Sequence, residues 1–250
     1  MRRILVTNDD GVNSEGIKAL AEVLADLAEV TVVAPVGESS AIGHALTLGR
    51  PLRLETVGER IYSVDGTPTD CVNIAFAKVL RSAPDLVVSG INKGYNLGDD
   101  VTYSGTVAGA LEGILLGVPS IAVSLCRSRE FDFTQSARAA RVVAVQVLEH
   151  GLPPRTLLNV NVPRTEARGF KVTVQAKRNH VTAVAEGEDP RGRRYFWIEE
   201  GENAWEPHDR SDYQAVRDGW ISVTPLQPDL TAHGALAFVE RMSLAGASVE

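Results

Sequence analysis

Ile4-Leu5-Val6-Thr7, running straight into Asn8-Asp9-Asp10-Gly11, is the stretch on which the reading of the fold turns. The first four residues are a short apolar, β-rich run and predict a buried strand. Beyond the acidic turn, Ile17, Leu20, Ala21, Leu24 and Leu27 recur at helical spacing, with Ser14 placed to cap the helix. Val30 to Ala34 is a second buried strand. An apolar strand, an amphipathic helix and another apolar strand predict parallel pairing, with both faces of the sheet covered.

Outward from this unit the rhythm continues. Leu52 to Thr56 and Arg60 to Val64 read as shorter, half-exposed strands. A helix starts at Pro68, a residue suited to the first helical position, and runs to about Leu80. Leu86 to Ser89, Ile121 to Ser124 and Leu157 to Val162 are strands. Thr106 to Leu116 is a helix of small residues, and Ser136 to His150 is an amphipathic one. After about residue 165 the pattern changes. Val172 to Gln175, Val181 to Ala185 and Tyr195 to Ile198 are strand-like, with Asp189-Pro190-Arg191-Gly192 as the turn between the last two. Trp220 to Thr224 returns to strand character, and Gly234 to Leu244 reads as a closing helix. The expected fold is α/β: an open, mostly parallel, doubly wound (Rossmann-like) sheet over residues 1–165. Residues 166–250 are expected to form a β-rich extension with a hairpin arm.

The composition fits such a domain. The chain has 250 residues, 44% of them hydrophobic and 23% charged. A net charge of -7 and a pI near 5.3 argue against a protein held to nucleic acid by phosphate contacts. A nucleotide substrate stays open, because a local metal can supply positive charge. Cys71 and Cys126 form no CxxC pair and read as reduced core thiols. No signal-peptide pattern follows the initial arginines, and no apolar run approaches the ~20 residues of a bilayer span. A cytoplasmic protein without a membrane partner is expected.

In an open α/β sheet, ligands bind beyond the carboxyl ends of the strands. Asp9 and Asp10 follow the first strand. Pro35 and a loop holding Ser39, Ser40 and His44 follow the second. Gly90 to Asp100, punctuated by Gly90, Gly94 and Gly98 with Asn92 and Asn96 between them, follow the Leu86 strand and lead to Ser104-Gly105-Thr106 at a helix start. Adjacent carboxylates repel, so one must take a proton or a cation must sit between them. Their oxygen-rich company suits Mg²⁺ or Mn²⁺ rather than zinc. The bland alternative is one aspartate capping the helix and the other solvated. The Ser-Gly-Thr helix start favours an anion, or is a plain serine cap. GxGxxG, GxxxxGK[ST] and GxSxG motifs are absent.

Taken in order, Asn8-Asp9-Asp10-Gly11, Ala34-Pro35 with its serine loop, Gly66-Thr67-Pro68-Thr69-Asp70-Cys71-Val72 and Val88-Ser89-Gly90-Ile91-Asn92 resemble the SurE family of survival-protein nucleotidases. The resemblance continues through Asn96-Leu97-Gly98, Tyr103-Ser104-Gly105-Thr106-Val107, Asn159-Val160-Asn161-Val162-Pro163, Ser222-Val223-Thr224-Pro225-Leu226 and Asp229-Leu230-Thr231. It implies a metal-dependent phosphomonoesterase acting on nucleoside 5′-monophosphates, with 3′-monophosphates and short polyphosphate as further substrates left open. It implies one Mg²⁺ or Mn²⁺ per subunit, held by Asp9, Asp10, Ser40 and Asn92, with Ser39 as the adjacent alternative to Ser40. Asn96, Ser104, Gly105 and Thr106 match phosphate-side residues. Asp9 and Asp10 are the catalytic candidates, and Asn8, Ser39 and His44 candidate lining. Asp9 either orients an attacking water or forms an aspartyl-phosphate. The resemblance further implies a homodimer or homotetramer with exchanged C-terminal segments. A non-catalytic nucleotide sensor and an assembly protein are the rival readings.

Overall fold

The computed structural model describes residues 1–179, 182–200 and 204–242. His180, the first residue of the strand expected from Val181, and the last two residues of the helix expected to Leu244 lie outside them. Among the described residues thirteen strands follow in order: β1 (Arg3–Thr7), β2 (Glu29–Pro35), β3 (Leu54–Gly58), β4 (Ile61–Val64), β5 (Leu86–Lys93), β6 (Ser120–Leu125), β7 (Leu157–Val162), β8 (Phe170–Val172), β9 (Arg178–Asn179), β10 (Thr182–Glu188), β11 (Arg194–Glu200), β12 (Ala204–Trp205) and β13 (Ile221–Leu226). The α-helices are α1 (Glu15–Ala25), α2 (Pro68–Ile74), α3 (Gly105–Leu115), α4 (Thr134–His150), α5 (Asp212–Arg217) and α6 (Leu236–Glu240).

Nine strands make one sheet in the order β3-β4-β2-β1-β5-β6-β7-β13-β8. Its centre is parallel, because each apolar strand returns through a covering helix. β3 runs antiparallel to β4, and β13 antiparallel to β7. On one face α1 and α4 bury Ile17, Leu20, Leu24, Ala140, Val143 and Val147 against Ile4, Val6, Val88 and Val123. On the other, α2 places Cys71 and Val72 on Leu5, Val33 and Val87, while α3 places Val107, Ala110 and Ile114 on Ala122 and Leu157. The small residues of α3 let it settle close to the sheet. A Cβ at Gly109 would lie 2.9 Å from Ser89 Oγ and Thr7 Cγ2, and one at Gly113 would lie 2.3 Å from Ser120 Oγ. The start of α3 is therefore pressed against the end of β1.

The sheet does not stop at residue 165, since β13 and β8 extend it. The hairpin arm is β10 with β11, paired from Thr182↔Glu200 to Glu188↔Arg194. The closing helix is short: a 3-10 turn at His233–Ala235 leads into the five residues of α6. The helix after Pro68 does reach Val79, but as a π-helical continuation of α2 from Ala75. Only Cys71 is a core thiol. Cys126, at the end of β6, is partly exposed, so the expectation of two buried cysteines is corrected for that residue.

Candidate active site

The chain leaves β1 first toward β2 and β4 on one side, then crosses to β5, β6 and β7 on the other. Strand order thus reverses between β1 and β5, where a crevice opens beyond the strand ends. The acidic turn sits there. Asn8 is buried, and its amide donates to the Gly11 carbonyl (3.0 Å) and to Ser14 Oγ (2.8 Å). Ser14 in turn caps α1. Gly11 has a φ of +96°, and a Cβ on it would lie 3.1 Å from Gly37, so side chains are unwelcome where this turn meets the serine loop. The loop is fastened by Val12 N–H to the Pro35 carbonyl and by Ser39 N–H to the Asp9 carbonyl, both at 2.8 Å.

Asp9 is 6% exposed. Its Oδ1 accepts the Thr106 hydroxyl at 2.6 Å, and the Thr106 N–H also favours its charged form. Burial wins over these bonds and, helped by the neighbouring Asp10 charge, pushes the Asp9 carboxyl up to about 6. Asp10 accepts the Lys93 N–H at 3.2 Å through Oδ2. Burial also raises its carboxyl above the ordinary range, against the Lys93 N–H and ammonium, and the Glu38 charge adds to the rise. The crevice therefore holds one buried and one half-buried carboxylate, both raised by partial loss of solvation. Gly105 makes the contact possible: a Cβ there would lie 2.8 Å from Asp9 Cβ and 2.9 Å from its Oδ2. Gly105→Ala should displace Asp9 and cut turnover about a hundredfold, the scale of a small misplacement of reacting groups. Steady-state kinetics beside a near-UV circular dichroism spectrum check this.

The Asn92 side chain at the end of β5 donates from Nδ2 to the Gly94 carbonyl at 3.0 Å. That bond fixes the amide through its nitrogen, and Oδ1 is the acceptor end of the group. Ser40 donates to Glu38 Oε1 at 2.6 Å. Glu38 is the residue whose charge reaches Asp10, and both Glu38 and Ser40 are exposed on the loop. Ser104 accepts Val107 N–H (3.0 Å) as the α3 cap and keeps its own proton to donate. Asn96 is buried and locked: its N–H donates to Asn161 Oδ1 (2.9 Å), its side-chain amide donates to Ser124 Oγ (2.7 Å), and its carbonyl accepts from Asn159 and Asn161. The ends of β1 and β5, the β2 loop and the start of α3 thus meet at one point. Among the described residues no group of three or more His, Cys, Asp and Glu side chains is positioned to hold a metal, so a cation here would take two carboxylates and neutral oxygens.

A family model described as "Survival protein SurE" matches residues 4–182. The chain belongs to the SurE family. It is 50% identical over 246 residues to "5'-nucleotidase SurE" of Geotalea daltonii, covering 97% of this chain and 99% of that one. It is 52% identical over 238 residues to the protein of the same name from Myxococcus xanthus, covering 94% and 91%. The crystal structure of the Sure protein from Aquifex aeolicus is similar, with a TM-score of 0.87, 43% identity and coverage of 96% and 99%.

Within this SurE fold, His44 reaches toward α3. Its Nε2 lies 2.8 Å from Glu112 Oε2 on α3, and Glu112 Oε1 accepts from Asn73 at 2.7 Å. Burial works to raise the Glu112 carboxyl, but these two bonds outweigh it and hold it below the ordinary range. Together with Gly43 N–H on the Tyr103 carbonyl, the His44–Glu112 pair pins the serine loop to α2 and α3. Five residues that hold the crevice or its loops had no role in the sequence pattern: Glu38, Lys93, Asn159, Asn161 and Asp212. The asparagines had a visible signal, alternation on one face of a buried strand where apolar residues are expected. Asp212 had none beyond Ser211, its helix cap.

Proposed function

We propose that this chain hydrolyses nucleoside monophosphates to nucleoside and phosphate, using a divalent metal held by Asp9, Asp10, Asn92 and Ser40. The observation that carries this reading is the pair of desolvated carboxylates at the strand crossover, in a chain half identical to 5′-nucleotidases. The donor set fits a hard cation. Two carboxylates held above their ordinary range need positive charge, and an amide oxygen and a hydroxyl stand beside them. When bound, the metal neutralises phosphate charge and polarises its oxygens.

The chain's own groups do the rest. Ser104 donates its hydroxyl to the phosphoryl group, and the start of α3 at Gly105 and Thr106 favours its negative charge. Asn96, clamped by Asn159 and Asn161, keeps the loop from Gly94 to Gly98 in place. Asp9 Oδ2, the oxygen that Thr106 leaves, orients a water. The water oxygen bonds phosphorus as the ester bond breaks, and a proton ends on the departing nucleoside oxygen. Borohydride trapping of a phospho-enzyme would assign Asp9 to covalent attack instead. Release of phosphate from AMP, GMP, 3′-AMP and short polyphosphate, against a series of divalent metals, tests the reading. Turnover with Mn²⁺ or Mg²⁺ that vanishes in excess EDTA is expected. Full activity in EDTA overturns the metal assignment, and binding without phosphate release favours the sensor.

Assembly through the C-terminal segments belongs to the same reading. Phe196 and Ile198 on one face of β11 and Trp197 on the other are 58%, 83% and 66% exposed, apolar surface suited to a second copy. The double substitution Trp197→Asp and Ile198→Asp should lower the molar mass measured by light scattering, and an unchanged mass would remove the arm from the interface. No helix among the described residues is long and apolar enough to cross a membrane. A cytoplasmic location remains part of the proposal.

A further inference from the structure

Two cavities flank the crevice. The one on the β2 side, about 350 Å³, is walled by Val36, Glu38, Ile42 and Arg50 and has no aromatic side chain. The other, about 760 Å³, lies beyond the ends of β6 and β7 and is lined by Leu125, Cys126, Arg129, Phe131 and Arg164, among others. It adjoins the carboxylates by a single strand. Lys93, whose N–H bonds Asp10, pairs in register with Leu125 of the cavity wall, and Gly94 N–H bonds the Leu125 carbonyl at 2.9 Å. The Lys93 side chain spans the same gap, its ammonium 5.5 Å from the centre of the Phe131 ring. Phe131 is held in turn by Phe133, nearly parallel to it with centroids 5.9 Å apart, and Phe133 is buried in the core.

We infer that this larger cavity receives the base of the substrate, stacked on Phe131, while the phosphate lies at Asp9 and Asp10. The inference rests on the nucleotidase reading and adds the residue that recognises the nucleoside. An aromatic base has a π-face to match the one aromatic ring of the cavity wall, and such stacking tolerates any base. Phe131 lines the cavity and is half-buried, and an ammonium rather than core packing rests over its ring. A base that takes that place turns the ammonium toward the phosphate, where its charge is needed. In a mononucleotide a sugar separates phosphate from base, and here Lys93 alone links Asp10, through its N–H, to Phe131, through its ammonium.

The test uses the full-length protein with Mn²⁺. In Phe131→Ala and Phe131→Leu, kcat/KM for AMP should fall about tenfold relative to kcat/KM for ribose 5-phosphate, which has no base. The change should sit mainly in KM, and Phe131→Tyr should restore it. Equal losses on both substrates, or no loss on AMP, overturn the inference. Cys126 supplies a reading independent of turnover. Adenosine should slow its alkylation by iodoacetamide about threefold in wild type and not in Phe131→Ala, with buried Cys71 as the unreactive control. An unprotected Cys126 in wild type counts against the site. If wild type releases phosphate from neither substrate, the nucleotidase reading fails, and adenosine protection of Cys126 still supports a base site in this cavity.

Discussion

In the Asp9→Asn variant, AMP hydrolysis is expected to fall by at least about a thousandfold, while the metal-free protein becomes more stable than wild type at pH 8. Both halves come from one carboxylate. Asn keeps an oxygen for the Thr106 hydroxyl but loses the charge that attracts the cation. The stability half follows from the raised Asp9 carboxyl, at about 6 against an ordinary 3.8, because burial penalises its charged form. The folded protein therefore holds the proton more tightly than the unfolded chain. Below pH 4 both states are protonated and Asp9 costs nothing. Between pH 4 and 6 the unfolded chain ionises first and stability drops. Above 6 the loss is complete at about 3 kcal/mol, since each tenfold difference in proton affinity between the two states is worth roughly 1.4 kcal/mol. Asn carries no such penalty. The two melting temperatures should converge near pH 4 and separate at pH 8, with Asp9→Asn the higher. Saturating Mn²⁺ should raise the wild-type midpoint and leave the variant's nearly unchanged. A variant that melts below metal-free wild type at pH 8 would mean that the charge was already compensated within the fold.

The parts of this site that were readable in sequence are those in which local chemistry and local geometry coincide. Asn8-Asp9-Asp10-Gly11 lies directly after an apolar strand, so its position at a strand end followed from hydrophobic pattern alone. Ser104 caps α3 within three residues of itself, and such bonds leave a signature in the adjacent sequence. Contacts that join distant segments leave none. Thr106 reaches Asp9 across 97 residues and Asn159 reaches Asn96 across 63. No spacing rule specifies either. The same applies to edge elements. α5 has six residues, too few for a helical period to stand out. β13 runs antiparallel because the chain enters it from α5 at the opposite end of the sheet from the parallel strands, a fact of path rather than composition. His44 and the serine loop fall between these cases. Their place after β2 was legible, whereas the turn of His44 toward Glu112 depends on a helix that lies 68 residues further on.

Asp212→Ala is expected to destabilise the protein by about 3–5 kcal/mol and to lower turnover, although Asp212 carries no reacting group. Its carboxylate is fully buried and accepts three backbone N–H groups: Gly98 through Oδ2, and Ala176 and Tyr213 through Oδ1, at 2.9, 2.9 and 2.8 Å. Burial raises this carboxyl above the ordinary range against the pull of those bonds. Removing it orphans two buried donors and one part-buried donor at roughly 1–3 kcal/mol each, less whatever water satisfies in the space left. One of the three belongs to Gly98, whose φ is +51° and whose Cα lies so close to Ala176 that a Cβ would come within 2.5 Å of the Ala176 carbonyl oxygen. The stack of Trp205 on Tyr213, centroids 4.5 Å apart, covers the same junction. Asp212 is therefore the point at which the C-terminal segment holds the loop that carries Asn96 two residues before Gly98. Loss of that anchor should reach the phosphate side of the crevice. Asp212→Asn separates positioning from charge. One oxygen stays for two of the donors, while the new amide meets a third N–H head-on, so a smaller destabilisation than in Asp212→Ala is expected. Urea unfolding of both variants, with kcat measured where each remains folded, decides the matter. A kcat equal to wild type in Asp212→Ala would confine the residue to stability and detach the C-terminal segment from the chemistry of the site.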